Sequence, residues 1–151
     1  GMPPSVTHLQ FGGGFKQDLT GMSPNVKHLT FGSEFNQSLD GMPESVTHLR
    51  FGRDFNQPLK GISPNVTHLV FGAGFRQSLD GVPVNVTRLT LQIDFDPAIQ
   101  VIPPNVTHLK LKKSDGGFAN SSNDDIPDTV KFLNGKPFYR VKLQWKRFDE
   151  N

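Results

Sequence analysis

The sequence predicts a mainly β repeat protein, a solenoid in which coils of 20 residues stack to build one parallel sheet. Three observations support this prediction: a repeat of fixed length, apolar positions that recur in register, and a composition rich in turn-forming residues. The chain of 151 residues contains 15 glycines and 12 prolines, and only 34% of it is hydrophobic. Such a composition favours short strands joined by tight turns over a bundle of helices.

The repeat is visible from the first residue. GMPPSVTHLQFGGGFKQDLT is followed by three close copies and a looser fifth unit, so coils are predicted at 1–20, 21–40, 41–60, 61–80 and 81–100. A shorter sixth coil occupies 101–113. The segment 114–125 is rich in Ser, Asn, Asp and Gly and is predicted to be an inserted loop. The remainder, 126–151, is predicted to hold a partial repeat and a C-terminal capping strand, because apolar and charged residues alternate there.

Six apolar columns indicate which side chains face the core. In the first coil they begin at Met2, Val6, Leu9, Phe11, Phe15 and Leu19. The spacing of Val6, Leu9 and Phe11 is strand-like, so each coil is predicted to add one short strand about 4.8 Å from the next. Phe15 and Leu19 are predicted to pack from the opposite side. A column of asparagines is predicted to form an internal ladder that satisfies backbone groups; it comprises Asn25, Asn65, Asn85 and Asn105.

The repeat unit resembles the FNIP repeat, which is named for a Phe-Asn-x-Pro core. The segment Phe55-Asn56-Gln57-Pro58 has this core, and the segment at 35–37 matches its first three positions. The resemblance covers about residues 1–111. It implies a right-handed, leucine-rich-repeat-like solenoid with a role in protein recognition, often as the substrate-side array of F-box proteins, in amoeboid eukaryotes and the large DNA viruses that infect them. No F-box-like helical segment is recognisable, so a ubiquitin-ligase role is not predicted.

Outward positions of the predicted strand vary between coils, whereas inward positions barely change. This contrast predicts a protein-binding surface, and drift of an unconstrained surface is the alternative explanation. The predicted partner-binding residues are Gln10, Thr30, Arg50, Arg53, Val70, Thr90, Ile93, Lys110, Lys112 and Lys113. Their basic members favour an acidic protein partner. Nucleic acid is disfavoured because no exposed aromatic set accompanies these charges.

All five histidines occupy one repeat position, and Arg88 fills the gap in their column. The histidines are His8, His28, His48, His68 and His108. A structural ladder of stacked rings is favoured over a metal array, because no Cys or carboxylate completes a tetrahedral ligand set. A pH-responsive surface is a further alternative, since closely spaced rings resist full protonation and would make the fold less stable in acid.

Several function classes are excluded by what the sequence lacks. It has no cysteine, no apolar run that could span a membrane and no signal peptide, so a cytoplasmic or nuclear protein is expected. No catalytic motif or phosphate loop occurs, so neither enzyme activity nor a cofactor is predicted. The predicted function is a protein–protein interaction scaffold. The alternatives are a structural element that self-associates through the open N-terminal coil, and a metal- or pH-responsive histidine surface.

Overall fold

The computed structural model describes residues 2–92, 102–113 and 126–139. Within these ranges eight strands form one sheet in chain order. They are β1 His8–Gln10, β2 His28–Thr30, β3 His48–Arg50, β4 His68–Val70, β5 Arg88–Gln92, β6 His108–Lys112, β7 Phe132–Leu133 and β8 Lys136–Pro137. A single 3₁₀ turn spans Leu79–Gly81 in the same described part. The predicted loop at 114–125 and most of the predicted capping strand lie outside the described residues.

The strands from β1 to β7 are parallel and pair in the register of the repeat. Leu29 lies opposite Leu9 on one side and Leu49 on the other, so each inward leucine stacks on its own copies. Leu29 is 1% exposed and Leu49 2% exposed. A coil has too few apolar side chains to bury them alone, so the core exists only in the stack. The predicted mainly β solenoid with one parallel sheet is confirmed.

Two phenylalanine columns fill the half of the core behind the sheet. The rings of Phe51 and Phe55 stack within one coil, with their centroids 3.8 Å apart. Phe51 also stacks on Phe71 of the next coil at 5.6 Å. The spacing of Phe51 and Phe71 lies in the range at which aromatic pairs add to the stability gained from burial alone. The second phenylalanine therefore packs into the core in the second, third and fourth coils, as the sequence predicts.

The glycine that follows the first phenylalanine lies where neighbouring coils approach most closely. A Cβ atom at Gly52 would overlap the carbonyl oxygen of Gly32, and one at Gly72 would overlap that of Gly52. In the fifth and sixth coils this position is Gln92 and Lys112. There the strands lengthen to five residues, and Gln92 pairs with Lys112. Glycine is therefore required at this position in the second, third and fourth coils, because a side chain there has no room against the preceding coil.

Asparagine side chains complete the hydrogen bonding between coils. In the predicted ladder, each Nδ2 donates to a carbonyl oxygen of the preceding coil at 2.7–2.9 Å; its members are Asn25, Asn65, Asn85 and Asn105. A second ladder, which the sequence analysis missed, explains the Phe-Asn-Gln element. The Oδ1 of Asn36 accepts from the backbone N–H of Asn56 at 2.9 Å and from Nε2 of Gln57 at 3.1 Å.

The last two described strands form a hairpin that the sequence analysis also missed. β7 runs antiparallel to β8, and Asn134 and Gly135 connect them with φ values of 53° and 81°. Positive φ at both residues is what a two-residue type I′ turn requires. The Asn-Gly dipeptide between apolar strands was the signal that could have revealed it. The hairpin stands at the end of the sheet, beside β6.

Candidate partner-binding face

The outward side chains of the strands form two columns. The first, which we call the ring column, consists of His8, His28, His48, His68, Arg88, His108 and Phe132. The second, which we call the variable column, consists of Gln10, Thr30, Arg50, Val70, Thr90 and Lys110. Because side chains alternate along a strand, both columns flank the buried leucines and share one surface. We call this surface the outer face.

The first four rings of the ring column form a continuous stack. The centroids are 4.2 Å apart between His8 and His28, 4.2 Å between His28 and His48, and 4.1 Å between His48 and His68. Adjacent ring planes differ by 6–23°. Farther along, His108 stacks on Phe132 at 4.5 Å. The column is therefore a stack of planar groups with one guanidinium between its two parts.

Threonine hydroxyls hold the histidine rings in position. The Oγ1 of Thr47 lies 2.9 Å from Nδ1 of His48 and 3.3 Å from the carbonyl oxygen of Lys27. The same pair of contacts recurs at Thr67 and His68, with 2.8 Å to the ring nitrogen. The sequence analysis did not assign this role, although the Thr-His dipeptide recurs in four coils. In these two coils, and at Thr107 and His108, the hydroxyl connects the ring to the backbone of the coil before it.

The environment of the ring column makes protonation of three of its histidines unfavourable. Burial lowers the pKa of His28, His68 and His108 below the usual value, because the charged ring loses water. Neighbouring positive charge lowers each pKa further: His48 and then His8 act on His28, His48 and then Arg88 act on His68, and Arg88 acts on His108. The environment of these three rings therefore favours their neutral form.

A cavity of about 180 Å³ lies where β3, β4 and β5 end. Five of the predicted partner-binding residues line it: Arg50, Arg53, Val70, Thr90 and Lys112. We call it the Arg50 cavity. The guanidinium of Arg53 forms an ion pair with Asp54 at 3.1 Å, and both side chains are largely exposed. Within the described ranges, the positive charge of this cavity that has no ion-pair partner therefore comes from Arg50 and Lys112.

A larger cavity of about 400 Å³ lies over β4, β5, β6 and β7. We call it the Arg88 cavity, and its lining includes Arg88, Lys110, His68, His108 and Phe132. It shares Val70 and Thr90 with the Arg50 cavity, so the two depressions adjoin on the outer face. In the sequence, Arg88 only interrupts the histidine column. The strand register adds that Arg88 lies diagonally across from Lys110, a lysine in the variable column.

The remaining predicted partner-binding residues lie away from these cavities. Gln10 and Thr30 end β1 and β2, and Lys113 is exposed just after β6. Ile93 lies outside the described residues. In the described ranges, no group of three or more His, Cys, Asp or Glu side chains is arranged to hold a metal ion. Nor does the part of the chain that the structure describes contain a helix long and apolar enough to cross a bilayer.

Comparison with known proteins identifies the repeat. The FNIP Repeat family model matches residues 21–54 and 35–63, which confirms the resemblance seen in the sequence. A solved structure, CroV588, is described as a novel circular LRR protein and is similar to this chain, with 29% identity and a TM-score of 0.69. The similarity covers 87% of this chain and 21% of CroV588, so the chain spans about a fifth of that protein. No curated protein matches the chain.

Proposed function

Because the chain carries FNIP repeats on a leucine-rich-repeat-like solenoid, we propose that it is a scaffold that binds a protein partner through the outer face. Repeat solenoids of this kind are typical of protein-interaction scaffolds, since stacking produces an extended binding surface. The observation that supports the proposal best is the Arg50 cavity. It brings together Arg50 from β3, Val70 from β4, Thr90 from β5 and Lys112 from β6.

The charge of the outer face favours an acidic partner. The ring and variable columns contain Arg50, Arg88 and Lys110 but no Asp or Glu. On β6 the outward residues are His108, Lys110 and Lys112, so positive charge continues along the strand. A partner with clustered carboxylates would be attracted to this face and oriented by it.

The proposal is tested by reversing one charge on the outer face and one elsewhere. Arg50→Glu places a negative charge at the Arg50 cavity, whereas Lys60→Glu makes the same change in charge in an exposed turn half a repeat away. Both variants are immobilised beside the unaltered chain in extract from the native host, and captured proteins are identified by mass spectrometry. We expect a partner that the Lys60 variant retains and the Arg50 variant loses. Equal capture by both variants would contradict the proposal.

A further inference from the structure

We propose that the Arg88 cavity binds a carboxylate side chain from an acidic segment that also carries an apolar residue. The inference rests on the proposed function, because the cavity adjoins the Arg50 cavity through Val70 and Thr90. It adds the chemistry of the group that the partner presents and the place where that group binds.

The first argument is the position of Arg88. It takes the place of a ring in the ring column and pairs in register with His68 on one side and His108 on the other. Its side chain is exposed, and among the described residues no carboxylate lies within ion-pair distance of it. A guanidinium presents a planar fork of N–H donors that matches the two oxygens of a carboxylate. Arg88 therefore offers a carboxylate-binding group in the lining of a cavity, unpaired among the described residues.

The second argument is a neighbouring cation. Lys110 lies on β6 directly opposite Thr90, which is two residues beyond Arg88 on β5. Both cations line the same cavity, and no Asp or Glu is among its lining residues. Two positive charges without a compensating acid create a local potential that attracts a negative group. The cavity therefore attracts negatively charged groups and repels positively charged ones before any contact is made.

The third argument is the apolar wall of the cavity. Val70 and Phe132 line it, and Phe132 is 38% exposed. The volume of about 400 Å³ is at the lower end of the range for ligand pockets, about 300–1,000 Å³. It accommodates a short segment and not a folded domain. A segment in which an acidic side chain meets Arg88 and an aliphatic one covers Phe132 satisfies both parts of the wall.

The probe is a short acetylated peptide of alternating Glu and Leu, and the same peptide with Gln for Glu is its uncharged control. Binding is measured by fluorescence anisotropy, and the site is located by amide chemical-shift changes in the full chain. The repeat itself supplies variants that are compatible with the fold. Arg88→His restores the ring of the other coils, and Lys110→Thr installs the residue present at Thr30 and Thr90. Lys60→Thr is the matched control, since the first coil has Thr20 at that position.

We expect the Glu peptide to shift the amides around Arg88 and Lys110, and the Gln peptide not to bind. Each of the two cavity variants should weaken binding by about 2- to 5-fold, and the double variant by about 10-fold. The proposal would be overturned if Lys60→Thr weakened binding of the Glu peptide as much as the cavity variants do. It would also be overturned if inorganic phosphate competed for the site as well as the Glu peptide itself. If the shifts centre on Arg50 and Lys112 instead, this inference fails while the proposed function of the outer face stands.

Discussion

The imidazole ring of His48 lies 4.1 Å from that of His68, and their planes differ by 17°. Two unit charges at this distance repel each other by roughly 4 kcal/mol at an effective dielectric of 20, and by roughly 1 kcal/mol in bulk water. A positive charge on His48 therefore disfavours protonation of His68 while the stack is intact. The stack connects the charge state of the outer face to the packing of the coils beneath it.

Stability should depend on pH through the ring column. Burial and neighbouring positive charge hold the pKa of His28, His68 and His108 below 6.5 in the folded chain. In the unfolded chain these rings take up protons at the ordinary pKa, so the unfolded state binds more protons as the pH falls below about 6.5. The linked stability is complete above that pH and is lost as the pH falls toward the folded pKa values. We expect a constant melting temperature between about pH 8 and pH 7 and a progressive decrease below about pH 6.5.

The control for this experiment is the variant His28→Gln/His68→Gln, which removes two of the three histidines with lowered pKa values. Its melting temperature should depend less steeply on pH over the same range. A melting temperature of the unaltered chain that stays flat down to about pH 5 would show that the ring column does not couple protons to folding.

Gly52→Ala should destabilise the fold because the coils meet at this residue without space for a side chain. The new Cβ would overlap the carbonyl oxygen of Gly32, and only separation of two coils relieves the overlap. Overpacking of this kind costs about 1–3 kcal/mol, which urea unfolding resolves. Gly12→Ala is the matched control, since nothing lies within 4 Å of a Cβ built there. Equal loss of stability in both variants would mean that glycine acts through backbone flexibility and not through close approach.

Asn56→Ala should remove one rung of the second asparagine ladder. The Oδ1 of Asn56 accepts from the backbone N–H of Arg76 at 2.9 Å and from Nε2 of Gln77 at 3.2 Å. A hydrogen bond contributes about 1 kcal/mol net, so the free energy of unfolding should fall by about 1–2 kcal/mol. Asn56→Asp keeps an acceptor oxygen and should restore most of the loss. If the aspartate variant is as unstable as the alanine variant, the acceptor role is wrong.

Thr47 should determine which ring nitrogen of His48 carries the proton. A hydroxyl has one proton, so Thr47 can donate to the carbonyl oxygen of Lys27 only while it accepts from Nδ1–H of His48. We expect neutral His48 to be the Nδ1–H tautomer, as read from the ¹⁵N shifts of the ring. Thr47→Val should shift it toward the Nε2–H tautomer. His28 follows Lys27 and is the internal reference without a hydroxyl. An Nε2–H tautomer in the unaltered chain would contradict this hydrogen-bond assignment.

The fold was predictable because the period of 20 residues can be read directly from the sequence. Leu9 and its copies, read as one column in the sequence, pair in that register in the sheet. The role of Gly52 was not readable in the same way. A glycine before a turn residue is compatible with both a flexible turn and a close contact, and only the distance between coils decides between them.

The binding face was predictable in outline and not in its details. Variation at Arg50 and Val70 marked the outer face, but which residues share a cavity depends on strand register and on the hairpin at Asn134 and Gly135. In the sequence, Arg88 is a single departure from a histidine column and predicts no binding site. Its place in a cavity became visible only in the structure, where β7 puts Phe132 at the end of the same column.

The in-register pairing of equivalent residues has an evolutionary consequence. Since Leu29 meets Leu49 as it meets Leu9, inserting or deleting a whole unit of 20 residues among the first coils keeps the leucine pairing and the register at every interface. Unequal recombination within the gene would then lengthen or shorten the protein without a folding penalty at the junction. The Arg88 cavity is lined by residues from the fourth coil onward, so this binding site would be kept while units before the fourth coil are added or removed.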